Sequence, residues 1–371
     1  MEYAALLALT LLGITAGLFV DSSEDDDDTD TGGVDGDGGD GTDTGSGTDT
    51  GGTDTGGTDT GGNTGDGVIT SDGVTFGSEG GDTLTATDGA ATVVGGDGND
   101  AINGNDGANI LDGQTGDDSV LGGDGDDQVF GSEGNDSVEG NSGNDLVAGG
   151  TGDDELYGGL GDDTVFGDAG NDIVDGQEGN DEVVGGDGND TMYGGIGDDT
   201  LFGNDGDDSI MDGGGADSLV GGAGADTLDG GEGNDQIFGI WDGNDDELIE
   251  AQDIVDPDLL LGGEGDDDIQ MGSGDVAYGE AGNDIFYTGT WVDPANAPTV
   301  MDLAKDEVVI VSVPVGTSAG TSISLETDDL TGDTLVQANG QTVAVVASGA
   351  GAVSLDQILI VESVSIAQAA A

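Results

Sequence analysis

The chain has 371 residues, 82 of them Asp or Glu against one basic residue, Lys305, giving a net charge of −81 with neither Cys nor His. Such a field repels nucleic acid and anionic membrane surfaces alike. The missing residue types exclude disulfides, thiolate metal sites and the commonest catalytic base and zinc ligand.

In chain order, Met1 and Glu2 precede an uncharged run, Tyr3 to Val20, of 18 residues. As a helix it would be about 27 Å long, enough to span a hydrocarbon core. No Lys or Arg precedes it and no clear A-x-A site comes after it, so residues 1–20 stay open between a membrane anchor, a signal-like segment, a docking helix and a misplaced start. Membrane contact, if any, is expected only through residues 3–20. Residues 21–67 read as an acidic, disordered Gly/Thr/Asp linker, with TDTGG three times over Thr48 to Gly62 and almost nothing apolar to bury. Val68 to Phe76 (VITSDGVTF) reads as one lead-in strand that covers the first coil of a repeat array.

From Gly77 to Phe238 one nine-residue phrase, G-G-x-G-[ND]-D-x-U-x with U apolar, is repeated 18 times without insertion or deletion. GGDGNDAIN (Gly95 to Asn103), GGDGDDQVF (Gly122 to Phe130) and GGDGNDTMY (Gly185 to Tyr193) are the clearest copies. Position 4 is Gly and position 8 aliphatic or Met in all 18 copies, and position 6 is Asp in 16, with Ala91 and Asn109 as exceptions. Glycines at positions 1, 2 and 4 are expected to supply positive φ and close approach in a six-residue turn. The last three residues, x-U-x, predict a short strand whose one inward side chain is U. Two nonads then form a coil of turn, strand, turn, strand, and stacked coils give two parallel sheets over a thin apolar core. A lone nonad cannot bury its apolar residue, so stability comes from stacking. Position-6 aspartates are expected to project at the turns in rows about 4.8 Å apart. Such rows repel unless a cation lies between them, and calcium, which takes six to eight oxygens, suits the place.

These nonads resemble the RTX (repeats-in-toxin), or hemolysin-type calcium-binding repeat, proteins. The resemblance implies an all-β, right-handed parallel β-roll solenoid, multiple Ca²⁺ ions held between turns, and partnership with type I secretion machinery. It also implies the carboxylate ligands: Asp82, Asp100, Asp118, Asp127, Asp136, Asp145, Asp154, Asp163, Asp172, Asp181, Asp190, Asp199, Asp208, Asp217, Asp226 and Asp235, with Asp267 and Asp284 from two later copies. Metal binding coupled to folding is the corollary for so acidic a chain.

The roll is expected over residues 68–290, interrupted by an insertion at 239–261 that carries the acidic, mildly helical DDELIEAQDIVD. The array resumes at Gly262, stumbles over Met271 to Tyr278, which is one residue short and leaves Asp275 out of the ligand set, and ends with GEAGNDIFY at Gly279. Residues 291–371 read as a small C-terminal β domain capping the open end. Its candidate strands are Glu307 to Val313, Ser322 to Thr327, a hairpin of Thr334 to Ala338 and Gln341 to Ala347 turned at Asn339-Gly340, and Val353 to Val364. Leu355 to Ala371 is the segment expected to act as an uncleaved export signal. Gly316 to Gly320 fits the G-x-S-x-G string of a hydrolase, but no His exists to activate Ser318.

Taken together, these residues indicate a secreted or surface-tethered calcium-binding protein with a structural or adhesive role and no catalysis. A non-catalytic component of an exported enzyme or toxin system and a soluble extracellular calcium buffer are the alternatives. One feature is open between stacking of neighbouring coils that stabilises the sheet and a cell-surface or self-association partner. Position 9 on one sheet reads Phe130, Ala148, Phe166, Val184, Phe202, Val220, Phe238, an apolar stripe on an acidic rod.

Overall fold

The computed structural model describes residues 69–71, 74–86, 89–239, 257–289, 292–314, 316–350 and 352–363. The N-terminal apolar run, the 21–67 linker and the helical piece of the insertion lie outside them. Among the described residues no helix is long and apolar enough to cross a membrane.

The strands form two sheets of 15 strands each, and successive strands of the array alternate between them. Up to Phe238 the register is a constant 18 residues. Leu146–Thr151 pairs in parallel with Thr164–Ala169, Val147 opposite Val165, and that strand pairs with Glu182–Asp187, Val165 opposite Val183. On the other sheet Leu156 stacks on Val138 and under Val174. The U residues face inward without exception: Val120, Val138, Leu156, Val174, Met192 and Ile210 are fully buried, as are Val147, Val165, Val183, Leu201 and Leu219. The two rows meet in one continuous apolar core.

Most array strands are twice as long as expected, six residues instead of three, because they run on through positions 1 to 3 of the next nonad. Along Thr164–Ala169 burial alternates, with Val165 and Gly167 inside and Phe166 and Asp168 half-buried. Position 1 therefore faces the core beside U. Its glycine is not there for positive φ, as expected from the sequence; a Cβ on Gly158 would lie 2.6 Å from Asp163 Oδ2 and 2.8 Å from the Gly176 carbonyl. Lack of space selects glycine at position 1. Position 2 does hold the left-handed backbone, even where it is Gln177 (φ 79°) or Asp168 (φ 71°).

Val68 to Phe76 is not one strand. Ile69–Ser71 and Val74–Phe76 pair antiparallel, and the second lies parallel to Thr92–Asp97. Asp72-Gly73 between them, itself outside the described residues, is the sequence signal for a two-residue hairpin. The array also resumes earlier than Gly262: Leu259–Glu264 pairs with Thr227–Gly233, Leu260 opposite Leu228, so Asp258 and Leu260 fill positions 6 and 8. The short copy at Met271 to Tyr278 keeps its strand in register, Leu260 opposite Ala277, and loses its residue within the turn.

Beyond residue 290 the strands continue both sheets. Val308–Pro314 extends one, Phe286 opposite Val309, and Ile358–Ser363 comes next in parallel. Thr299–Val300 extends the other and leads to the hairpin Thr334–Ala338 and Gln341–Val346, with Ile323–Thr327 antiparallel at its edge. Asn339 (φ 55°) and Gly340 (φ 80°) both take the left-handed conformation that the two-residue turn demands. Ser318 sits in a one-turn 3₁₀ segment, Ser318–Gly320, between two strands.

Candidate metal centre

Position-6 aspartates do not project from the turns. They fold under them, and Asp100, Asp118, Asp127, Asp136, Asp145, Asp154, Asp163, Asp172, Asp181, Asp190, Asp199, Asp208, Asp217, Asp226, Asp235, Asp267 and Asp284 are each at most 3% exposed. Asp82, in the first coil, is half-buried.

The residues form two columns, one at each edge of the roll, each rung bonded to the next. In the first, the N–H of Asp136 donates to Asp154 Oδ1, that of Asp154 to Asp172 and that of Asp172 to Asp190, each at 2.8 Å. In the second, Asp145 donates to Asp163, Asp163 to Asp181 and Asp181 to Asp199, again at 2.8 Å. Across the insertion the first column passes from Asp226 to Asp258 and Asp275, and the second from Asp235 to Asp267 and Asp284. Asp258 and Asp275 therefore belong to the first column, although the broken nonad spacing hides them in the sequence. Glu307 comes after Asp284, since Val308 lies opposite Ile285.

Position 5 forms a separate, exposed ladder that runs the other way. The N–H of Asn171 donates to Asp153 Oδ1 at 2.9 Å and that of Asn180 to Asp162 Oδ1 at 3.0 Å. A short side-chain acceptor is what this place needs, which accounts for the Asn/Asp preference there.

One hydrogen bond satisfies only Oδ1. Apart from Asp82, bonded by Ser78 N–H and Oγ, and Asp226, held by further contacts, the second oxygen of all 16 remaining aspartates is buried with no donor. Asn109 shows what surrounds that atom. Its Oδ1 accepts from Ala91 N–H at 3.0 Å like any rung, while its Nδ2 donates to the carbonyls of Gly104, at 3.0 Å, and Gly107, at 2.7 Å. A Cβ on Gly104 would lie 2.9 Å from this Nδ2, much as one on Gly158 would lie 2.6 Å from Asp163 Oδ2. Nδ2 and Oδ2 thus occupy the same place. In the aspartate copies an anionic oxygen faces backbone carbonyls, acceptors against an acceptor, which a bound cation or a proton on that oxygen would reconcile.

The electrostatics agree. Burial pushes the carboxyls of Asp118, Asp163, Asp172, Asp208 and Asp235 up to about 7, with adjacent rungs adding to the rise and the backbone N–H opposing it. Burial likewise raises Asp275 to about 7. Lys305 is the only basic side chain in the sequence. The donor set is all oxygen, carboxylate and carbonyl, which suits hard divalent cations, and calcium above magnesium because calcium accepts six to eight oxygens in irregular geometry while magnesium demands a near-octahedral shell and keeps its water.

Fold and site together define a parallel β-roll with a column of buried carboxylates along each edge. A family model, the RTX calcium-binding nonapeptide repeat, four copies to a match, fits residues 76–111, 103–138, 139–174, 175–210, 211–239 and 272–290. Over this stretch the chain belongs to the RTX calcium-binding repeat family, whose nonapeptides bind Ca²⁺ at multiple sites along the repeats. No curated protein matches the chain.

Proposed function

We propose that the protein is an extracellular structural element that calcium folds and stiffens, and that the buried position-6 aspartates with the carbonyls of their own turns hold the ions. The ligands in this reading are the aspartates named from the sequence, less Asp82, whose second oxygen is occupied by Ser78; Asp275 is left out likewise, because the Gly272 N–H occupies its Oδ2. The single observation that carries it is the row of buried carboxylate oxygens without donors in a chain that has one lysine. Export through a type I system with a C-terminal signal, and capping of the roll by residues 291–371, complete the proposal. A structural role is favoured over catalysis because every buried acid in the array is used alike, rung after rung.

The aromatic stripe belongs to this structural role. Its rungs are in register, Phe130 with Ala148, Ala148 with Phe166 and Phe166 with Val184. Phe130 is 8% and Ala148 4% exposed, and Phe166, Val184, Phe202, Val220 and Phe238 are half-buried. Half-burial favours stacking between coils over a docking face.

The test is a calcium titration of the full chain monitored by circular dichroism. The chain should be largely without β structure in chelator and gain it cooperatively at roughly 10⁻⁴ to 10⁻³ M calcium. A complete β spectrum in chelator would defeat the proposal.

A further inference from the structure

Position 1 is Gly in 16 of the 18 nonads and Ala at Ala86; the remaining copy has Asp212. This place faces the core, so the substitution puts a carboxylate inside the roll. Asp212 is 4% exposed and neither of its oxygens has a donor. Its strand, Ser209–Gly215, keeps full register on both sides, Met211 opposite Tyr193 and Asp229, so the acid is accommodated without a bulge.

Its surroundings are specific. Asp217 is the position-6 aspartate of the same nonad, and Asp199 is that of the coil before. One carboxylate oxygen of each of Asp199, Asp212 and Asp217 lies within 4.8 Å of the other two, the one such group of three acids among the described residues. Room for it comes from Gly194, where a Cβ would collide with Asp212 Oδ1 and lie 2.8 Å from Asp199 Oδ2. Burial, with Asp217 and Asp199 close by, pushes the Asp212 carboxyl up to about 9. Elsewhere in the array a turn offers a single position-6 carboxylate with carbonyls; here three buried carboxylates converge, with no lysine or arginine in the nonads to pair with them.

We infer that Asp199, Asp212 and Asp217 form an interior calcium site of three carboxylates, distinct in make-up from the turn sites and the first in the molecule to fill. The inference rests on the calcium reading of the array. Affinity in oxygen sites rises with the number of charged ligands, so this site should hold its ion at free calcium too low for its neighbours. Sitting in the middle of the stack, the bound ion would pin two successive coils and give the rest a template on which to order.

Full-length protein, Asp212→Gly and Asp212→Asn are compared by equilibrium calcium binding in chelator-buffered solutions, with terbium luminescence as a second probe. Glycine restores the residue that 16 nonads already carry, so this variant should fold in saturating calcium. The expected result is one ion bound by the wild type at least tenfold below the midpoint of the others. Both variants should lose that ion while the rest of the curve keeps its stoichiometry. Superimposable curves for wild type and Asp212→Gly, or a wild type with no early ion, would overturn the interior site and leave the turn sites standing. Absence of calcium binding in all three proteins up to millimolar concentration would instead overturn the reading of the whole array.

Discussion

The repeat array and the strands after residue 290 continue the same two sheets but are held together differently. Most nonads bury one apolar side chain and one carboxylate, as Val165 with Asp163 and Leu201 with Asp199. The last strands bury apolar residues in closer succession, Val309, Val311 and Val313 on one and Val343, Ala344 and Val346 on another, with Glu307 the one buried carboxylate there among the described residues. A strand that buries two or three apolar residues, as these two do, can stabilise a sheet without an ion. One apolar residue offset by one desolvated acid does not. The array is therefore expected to depend on metal more than the closing strands do.

Calcium removal gives the largest effect. In chelator, hydrogen exchange should lose protection throughout residues 95–238 and retain it at 308–313 and 334–346. Magnesium at the same concentration should restore little, since it keeps its water and demands stricter geometry. Uniform loss across both regions, or uniform protection, would erase the distinction between array and closing strands.

Next in size is a buried charge without a partner. Val165→Asp should destabilise the calcium-loaded roll by about 3–5 kcal/mol, because the core there is one side chain deep and the buried charge gains no partner. Asp163→Asn should be mild by contrast. Asn109 already shows that an amide can bond the preceding rung and both carbonyls of its turn. One ion fewer should bind, with a shift of the titration midpoint of less than about tenfold, because many like sites share the stack. Asn109→Asp should do the reverse and add one ion. Calorimetric stoichiometry reads all three.

Acidity acts oppositely on the two states of the array. The ordinary carboxyl value is 3.8, and burial raises Asp118, Asp163 and Asp172 to about 7 in the metal-free fold. Between these values the metal-free roll binds more protons than the unfolded chain. The stability it gains from them is complete below 3.8 and is lost as pH rises through about 7. Chelated protein should therefore recover β structure on going from pH 8 to pH ~4.5, whereas the calcium-loaded protein should weaken over the same range as protons compete for its ligands. The same direction of change in both would contradict the burial of the aspartates.

Most of the roll is legible in its sequence because a period of nine cannot be kept without a reason at each position. The U column marks the core, and the aspartate column marks the edges. Three things are hidden, each for a physical cause. The direction of the aspartates is hidden because a turn residue is normally exposed, while here the N–H of the preceding coil draws the carboxylate under the turn. Asp258 and Asp275 escape notice because the insertion and the shortened copy break the spacing, although the sheet register carries straight across both. Asp212 does not stand out because a glycine column suggests a backbone role for position 1; only the collision at Gly158 shows that this place faces inward. The [ND] preference at position 5 is visible, but its cause, a ladder running against the other, needs coordinates.

The smallest effect expected is at the aromatic stripe, where the comparison between the two regions can be sharpened from the outer face. Phe166 lies between Ala148 and Val184, and Phe202 between Val184 and Val220, so each ring covers two small neighbours. This outer row adds apolar contact where the inner face has only one residue per strand. Phe166→Thr with Phe202→Thr keeps strand propensity and removes the rings. Cross-strand pairs of this kind contribute about 0.2–1 kcal/mol each, so the double variant should unfold a few degrees lower in calcium. Light scattering and cell-binding should be unchanged, since the rings are half-buried against their own sheet. Loss of association with unaltered thermal stability would instead make the stripe a contact face and move the adhesive role onto it.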